Sequence, residues 1–116
     1  MPKAAPLTDH CRSLTASTED VKWGAALCFS VGGKLFAMFD LDDQREFSFK
    51  CDEEDYDRLT ELAGVIPAPY AARFGWVKIT TSAKIPAKDL RALLTKAHAL
   101  AALKLSKKKQ RELGLA

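Results

Sequence analysis

The chain has 116 residues, 47% hydrophobic and 28% charged, with a formal net charge of +3 at pH 7. That length fits one domain, which buries roughly two-thirds of its unfolded surface and needs no metal or disulfide staple. The balance excludes a wholly disordered chain, no apolar run approaches the ~20 residues of a membrane span, and Met1-Pro2-Lys3-Ala4-Ala5-Pro6 lacks the apolar stretch of a signal peptide.

A short helix is expected over 7–14, where Leu7, Cys11 and Leu14 recur at i, i+4 and i+7. Thr15-Ala16-Ser17-Thr18 reads as a loop. Residues 25–31 and 34–41 read as a hairpin, because Leu27, Phe29 and Val31 alternate with smaller residues and Gly32-Gly33 suits a two-residue type I′ turn. That register pairs Phe29 with Phe36 and Leu27 with Met38, and it sends Ala26, Cys28, Ala37 and Phe39 to the other face. After the polar turn Asp42-Asp43-Gln44, residues 46–51 form a third strand, with Phe47 and Phe49 on one side and Glu46, Ser48 and Lys50 on the other.

A second helix is expected over 52–63, with Asp52 as its N-cap and Glu53-Glu54-Asp55 in the first turn, where the helix dipole favours negative charge. Tyr56, Leu59, Leu62 and Ala63 make its apolar stripe, and Gly64 stops it. Residues 65–75 contain Pro67 and Pro69, which leaves room for a short edge strand at most. Residues 76–81 form a strand. The last helix runs from Pro86 to about residue 105, with Leu90, Leu93, Leu94, Ala97 and Ala101 facing inward. The basic stretch after it reads as a frayed tail. The chain is thus one domain over 1–105 with a tail over 106–116. Its class is α+β, a two-layer sandwich of antiparallel sheet with helices on one face, in the order α-β-β-β-α-β-β-α.

Several of these stretches line up with a family pattern: Val31-Gly32-Gly33-Lys34-Leu35-Phe36-Ala37, then Phe47-Ser48-Phe49-Lys50-Cys51-Asp52, then Pro67-Ala68-Pro69-Tyr70 with Arg73 and Trp76-Val77, then Leu90-Arg91-Ala92-Leu93-Leu94. Over about residues 7–103 the chain resembles the MmcQ/YjbR family. The resemblance implies a fold like that of CyaY, the bacterial frataxin, and the "double-wing" DNA-binding label attached to the family, a fold-level warrant. The family often carries Ser-Tyr where Ala97-His98 stand here, so a role for that tyrosine does not carry over. The basic stretch after Leu103 lies outside the shared pattern.

Motifs of known chemistries are absent. Gly32-Gly33-Lys34 sits between strands and not before a helix, and Asp40-x-Asp42-Asp43 lacks the glycine and glutamate of a calcium loop. Cys11, Cys28 and Cys51 are odd in number and form no C-x-x-C pair, so they read as packing thiols of a reducing compartment, the cytoplasm. No catalytic residue, metal or cofactor is expected. An enzyme would need a pocket around His98 and Tyr70 with a carboxylate to orient the imidazole.

Charge is more informative. Residues 40–61 hold ten acidic and three basic side chains, whereas 62–103 hold one acidic and six basic, and 104–116 one acidic and five basic. Tyr70, Arg73, Trp76 and Lys78 interleave aromatic and basic groups, as surfaces that stack bases and hold phosphates do; a core tryptophan beside solvated cations fits the same pattern. The expected function is a non-enzymatic, monomeric binding module with DNA as partner, held weakly through phosphates. Its candidate binding residues are Lys34, Lys50, Tyr70, Arg73, Trp76, Lys78, Lys107, Lys108 and Lys109. The alternative is a frataxin-like metal-handling or protein-interaction module that uses Asp52-Glu53-Glu54-Asp55 and Asp57 on the acidic second helix.

Overall fold

The computed structural model describes residues 4–22, 24–69 and 74–115. Its elements run α1 (Ala4–Ser13), β1 (Ser17–Lys22), β2 (Ala26–Val31), β3 (Lys34–Asp40), β4 (Phe47–Lys50), α2 (Glu53–Leu59), β5 (Val65–Pro67), β6 (Trp76–Ile79), α3 (Ala87–Ala102) and α4 (Lys107–Glu112). The six strands form one antiparallel sheet in the order β1-β2-β3-β4-β6-β5. The α+β class and the antiparallel sheet of the sequence reading hold. No helix among the described residues is long and apolar enough to cross a membrane.

The core lies between the sheet and the helices. Leu27, Phe29, Phe39, Phe47, Phe49, Val77 and Ile79 alternate along their strands toward it and meet Leu7 and Cys11 of α1, Leu59 of α2 and Leu90, Leu94, Ala97 and Ala101 of α3. Aromatic rings make much of this contact: Phe39 stacks on Phe47 at 4.8 Å, and Phe29 meets Phe39 edge-on at 5.8 Å.

Four expectations change. Ser17–Lys22 is a strand, not part of a loop; it pairs along its whole length with β2 although nearly all of it is exposed. The hairpin turn is as expected, with φ of 56° at Gly32 and 84° at Gly33, but a bulge between Phe29 and Ser30 shifts the register beyond it. Phe29 therefore faces Ala37 and Leu27 faces Phe39, which brings Phe39 into the core and leaves Met38 on the open face. Helix α2 stops at Leu59, where the Thr60 hydroxyl donates to the Tyr56 carbonyl at 2.8 Å, so Leu62 is exposed rather than part of a buried stripe. Finally, 107–112 is a helix and not a frayed end. Ser106 caps it by accepting from the Lys109 N–H at 3.1 Å, and Leu115 beyond it packs against the core.

Candidate nucleic-acid interface

Helix α4 is docked on the β2–β3 turn. A Cβ at Gly32 would lie 2.6 Å from Leu105 Cδ1 and 3.1 Å from Leu113 Cδ1, so the missing side chain of Gly32 is what lets the two leucines settle there. Gln110 Nε2 donates to the Leu105 carbonyl at 2.9 Å, which ties the helix back to the turn that precedes it. The sequence places Lys107, Lys108, Lys109 and Arg111 on this helix, Lys104 just before it and Lys34 beside Gly33 at the tip of the hairpin. All six are exposed, and none makes an ion pair among the described residues. The folded element thus carries four of these cations, with Lys104 before it and Lys34 on the hairpin against which its flanking leucines pack.

The strand cations are placed differently. Lys50 and Lys78 stand on the open face of the sheet, on either side of Ser48, because Ser48 pairs with Lys78 and Lys50 with Trp76. Lys78 Nζ lies 3.4 Å from Glu46, so part of its charge is compensated. Lys50 Nζ approaches the Phe74 carbonyl at 3.5 Å. Trp76 is only 6% exposed and packs into the protein instead of offering a ring face to solvent. Tyr70 and Arg73 lie outside the described residues. The register puts Lys34 on the helix side of the sheet and Lys50 on the open side, but both stand at the same end, since Ala37 pairs with Phe49 and the two strands run antiparallel.

Phe74, absent from the sequence reading, is 57% exposed at that same end. A phenylalanine two residues before a strand reads as a core anchor, and only the pairing of Lys50 with Trp76 shows where it emerges.

Two carboxylates at the start of the acidic second helix, Asp52 and Asp55, are committed to holding the fold. Asp52 accepts from the Asp55 N–H at 2.8 Å, and Lys96 of α3 lies 2.8 Å from Asp52 and 2.9 Å from Asp55. The hydrogen bond from Lys96, with that from the Asp55 N–H, holds the Asp52 carboxyl below the usual range. Burial opposes ionisation of Asp55, but hydrogen bonds from Lys96 and Arg58 outweigh it and keep its carboxyl low as well. Hydrogen bonds to both carboxylates raise the Lys96 ammonium above the ordinary lysine range. Glu53, Glu54, Asp57 and Glu61 remain exposed. Among the described residues, no three His, Cys, Asp or Glu side chains gather in a way that would hold a metal ion.

His98 has a structural role. It is 8% exposed, its Nε2 donates to the Thr15 carbonyl at 2.7 Å, and its ring meets Phe36 edge-on at 5.3 Å. A carbonyl only accepts, so Nε2 is the donor of this bond. His10 Nε2 lies 2.7 Å from the Thr95 hydroxyl and joins α1 to α3.

Among solved structures, the chain is similar to a Deinococcus radiodurans protein with a DUF419 domain, at 27% identity and a TM-score of 0.88 over 100% of this chain and 91% of that one. A Pseudomonas syringae protein solved by the Northeast Structural Genomics Consortium shares the fold, at 15% identity and a TM-score of 0.68 over 87% of this chain and 99% of that one. No functionally curated protein matches. The profile of the YjbR family matches residues 12–100, most of the chain, and the chain belongs to that family.

Proposed function

We propose that this domain is a non-enzymatic, monomeric module of the cytoplasm that holds nucleic acid weakly through its phosphates. One observation carries the reading: Leu105 and Leu113, on either side of α4, sit against Gly32, which fixes a run of lysines on a folded element beside the turn that leads into Lys34. Cations held on a folded element lose less entropy on meeting a phosphate than those of a loose tail. The contact is with the backbone, so it fixes position without reading sequence. Lys50 and Lys78, on the open face of the sheet, would add a separate phosphate contact, with Lys78 the weaker contributor because of Glu46.

The test is fluorescence anisotropy of labelled oligonucleotides at low salt, comparing the intact chain with Gly32→Val. The substitution puts a branched side chain where Leu105 and Leu113 sit and should loosen α4, weakening binding several-fold while every lysine remains. Absence of binding by the intact chain to any duplex or single strand would overturn the reading.

The frataxin-like alternative keeps one supporting observation, the exposed Glu53, Glu54, Asp57 and Glu61. Asp52 and Asp55 are poor candidates for it, since Lys96 already occupies both. Calorimetric titration with ferrous ion would favour it only if Glu54→Gln/Asp57→Asn removed the heat.

A further inference from the structure

At the end of the sheet away from the Gly32-Gly33 turn, the core does not close completely. Phe47 and Ile79 pair where β4 begins and β6 ends, and with Leu7 of α1 and Leu90 of α3 they line a cavity of about 120 Å³. Each of these four side chains is at most 8% exposed, so the walls belong to the core and not to the surface. Ala83 and Ala87 complete the lining, and their methyl groups leave open the space that larger side chains would fill. The loop between β6 and α3 is held in place. The Thr80 N–H and hydroxyl both donate to the Gly64 carbonyl, at 2.9 and 2.7 Å, and the Ala83 N–H donates to the Thr80 carbonyl at 3.0 Å. The cavity is thus built into the fold, as ligand sites commonly are. Hydrocarbon walls leave such a space dry, and an engineered cavity of about 150 Å³ takes benzene, so this one suits an apolar group of about six carbons.

The mouth has a different chemistry. Arg45 and Thr81 are the exposed members of the lining. Asp43 accepts from Arg45 Nε at 2.9 Å and from Nη2 at 3.0 Å, which fixes the plane of the guanidinium and leaves its Nη1 donors for another acceptor. Asp43 compensates part of the charge, so Arg45 selects the head group while the walls supply most of the affinity. Among the described residues, no carboxylate lines the cavity, so an ammonium head would find no counter-charge there. We propose that this cavity binds a small amphipathic anion, with a chain or ring of about six carbons between Phe47 and Leu90 and its carboxylate on Arg45. The site stands at the opposite end of the sheet from α4, and it does not depend on the nucleic-acid reading.

The test titrates the nitrogen-labelled intact chain with hexanoate, hexanol and hexylamine at neutral pH and follows the amide resonances. Hexanoate should bind saturably, shift Leu7, Phe47, Ile79 and Leu90, and leave α4 unmoved. It should bind about threefold or more tighter than hexylamine, the discrimination expected of one partly compensated surface cation. Arg45→Gln should bring the two within about twofold of each other; its side chain is exposed, so the fold should tolerate the change. Ala87→Leu fills the space from the first turn of α3 and should abolish hexanoate binding without lowering the thermal melt. No saturable shift with hexanoate, equal binding of the three ligands, or a discrimination that survives Arg45→Gln overturns the proposal, as does an Ala87→Leu protein that is folded and binds hexanoate unchanged.

Discussion

Lys96 and Asp55 are 41 residues apart in the chain, and the ammonium of one lies 2.9 Å from the carboxylate of the other. Asp55 is mostly buried and Asp52 lies beside it, so one lysine of α3 holds two carboxylates at the start of α2. This fastens the acidic helix to the last long helix. It also gives the domain a defined response to pH.

Both carboxyls titrate below their ordinary value in the folded protein. A carboxylate depressed by folding stabilises the fold above its unfolded pKa of about 4 and loses that contribution as pH falls through the lower folded value. Stability should therefore be level through neutral pH and decline in the acid range below about pH 4. Lys96→Met should lower stability at neutral pH and flatten the acid decline. Urea unfolding between pH 2 and 7 measures both, and parallel curves for the two proteins would contradict the assignment.

The face of α3 that matters most is set by Leu94, which is fully buried, whereas Leu93 is only partly covered. Leu94→Ala should cost about 2–5 kcal/mol, because it removes a core side chain and leaves a cavity. Leu93→Ala should cost clearly less. Denaturant midpoints of the two variants give the comparison directly.

The thiols should be silent in the native state. Burial pushes Cys11 up to about 12 and Cys51 up to about 11, and it raises Cys28 as well. The thiolate is the reactive species, so a disulfide reagent at pH 8 should find almost no reactive cysteine in the folded chain and three after unfolding. A thiol that reacts fast without denaturant would mean local opening around it.

Gly64 is a second point where backbone leaves no room. Its φ is +83°, and a Cβ there would lie 2.3 Å from the Ala83 N, a rigid atom. Gly64 also accepts from both the N–H and the hydroxyl of Thr80, at 2.9 and 2.7 Å. Gly64→Ala should destabilise by more than about 1 kcal/mol, from the strained φ and the clash together. A thermal melt unchanged by it would show that the 82–83 turn yields freely.

Much of this architecture was legible in local pattern. Phe47 and Phe49 alternate, Asp52 precedes an acidic first turn, and Leu90, Leu94, Ala97 and Ala101 recur at helical spacing. What escaped was decided by tertiary contact. The segment Ser17–Lys22 has Val21 as its one large apolar residue, so no alternation marks it; it is a strand because β2 offers it hydrogen bonds. The bulge at Phe29/Ser30 has no glycine or proline to announce it, yet it decides which face receives Phe39. The lysines of α4 suggested fraying, and only the leucines around them, Leu105 and Leu113 against Gly32, make the segment a helix with an address. Lys34, Lys50 and the lysines of α4 were visible in sequence, but the placement of Lys34 and Lys50 at the same end of the sheet needs the strand order.

Salt dependence tests the central claim most directly. Each phosphate neutralised on duplex DNA releases counterions and contributes about −0.9 to the slope of log affinity against log salt. Deleting the last eleven residues would also remove Leu113 and Leu115 from their packing, so charge should be removed without length, by Lys107→Gln, Lys108→Gln and Lys109→Gln together. The slope for the triple variant should be shallower than for the intact chain by about 1–3 units, with the thermal melt little changed. An equal slope for both proteins, with α4 still folded, would contradict phosphate contact by this helix.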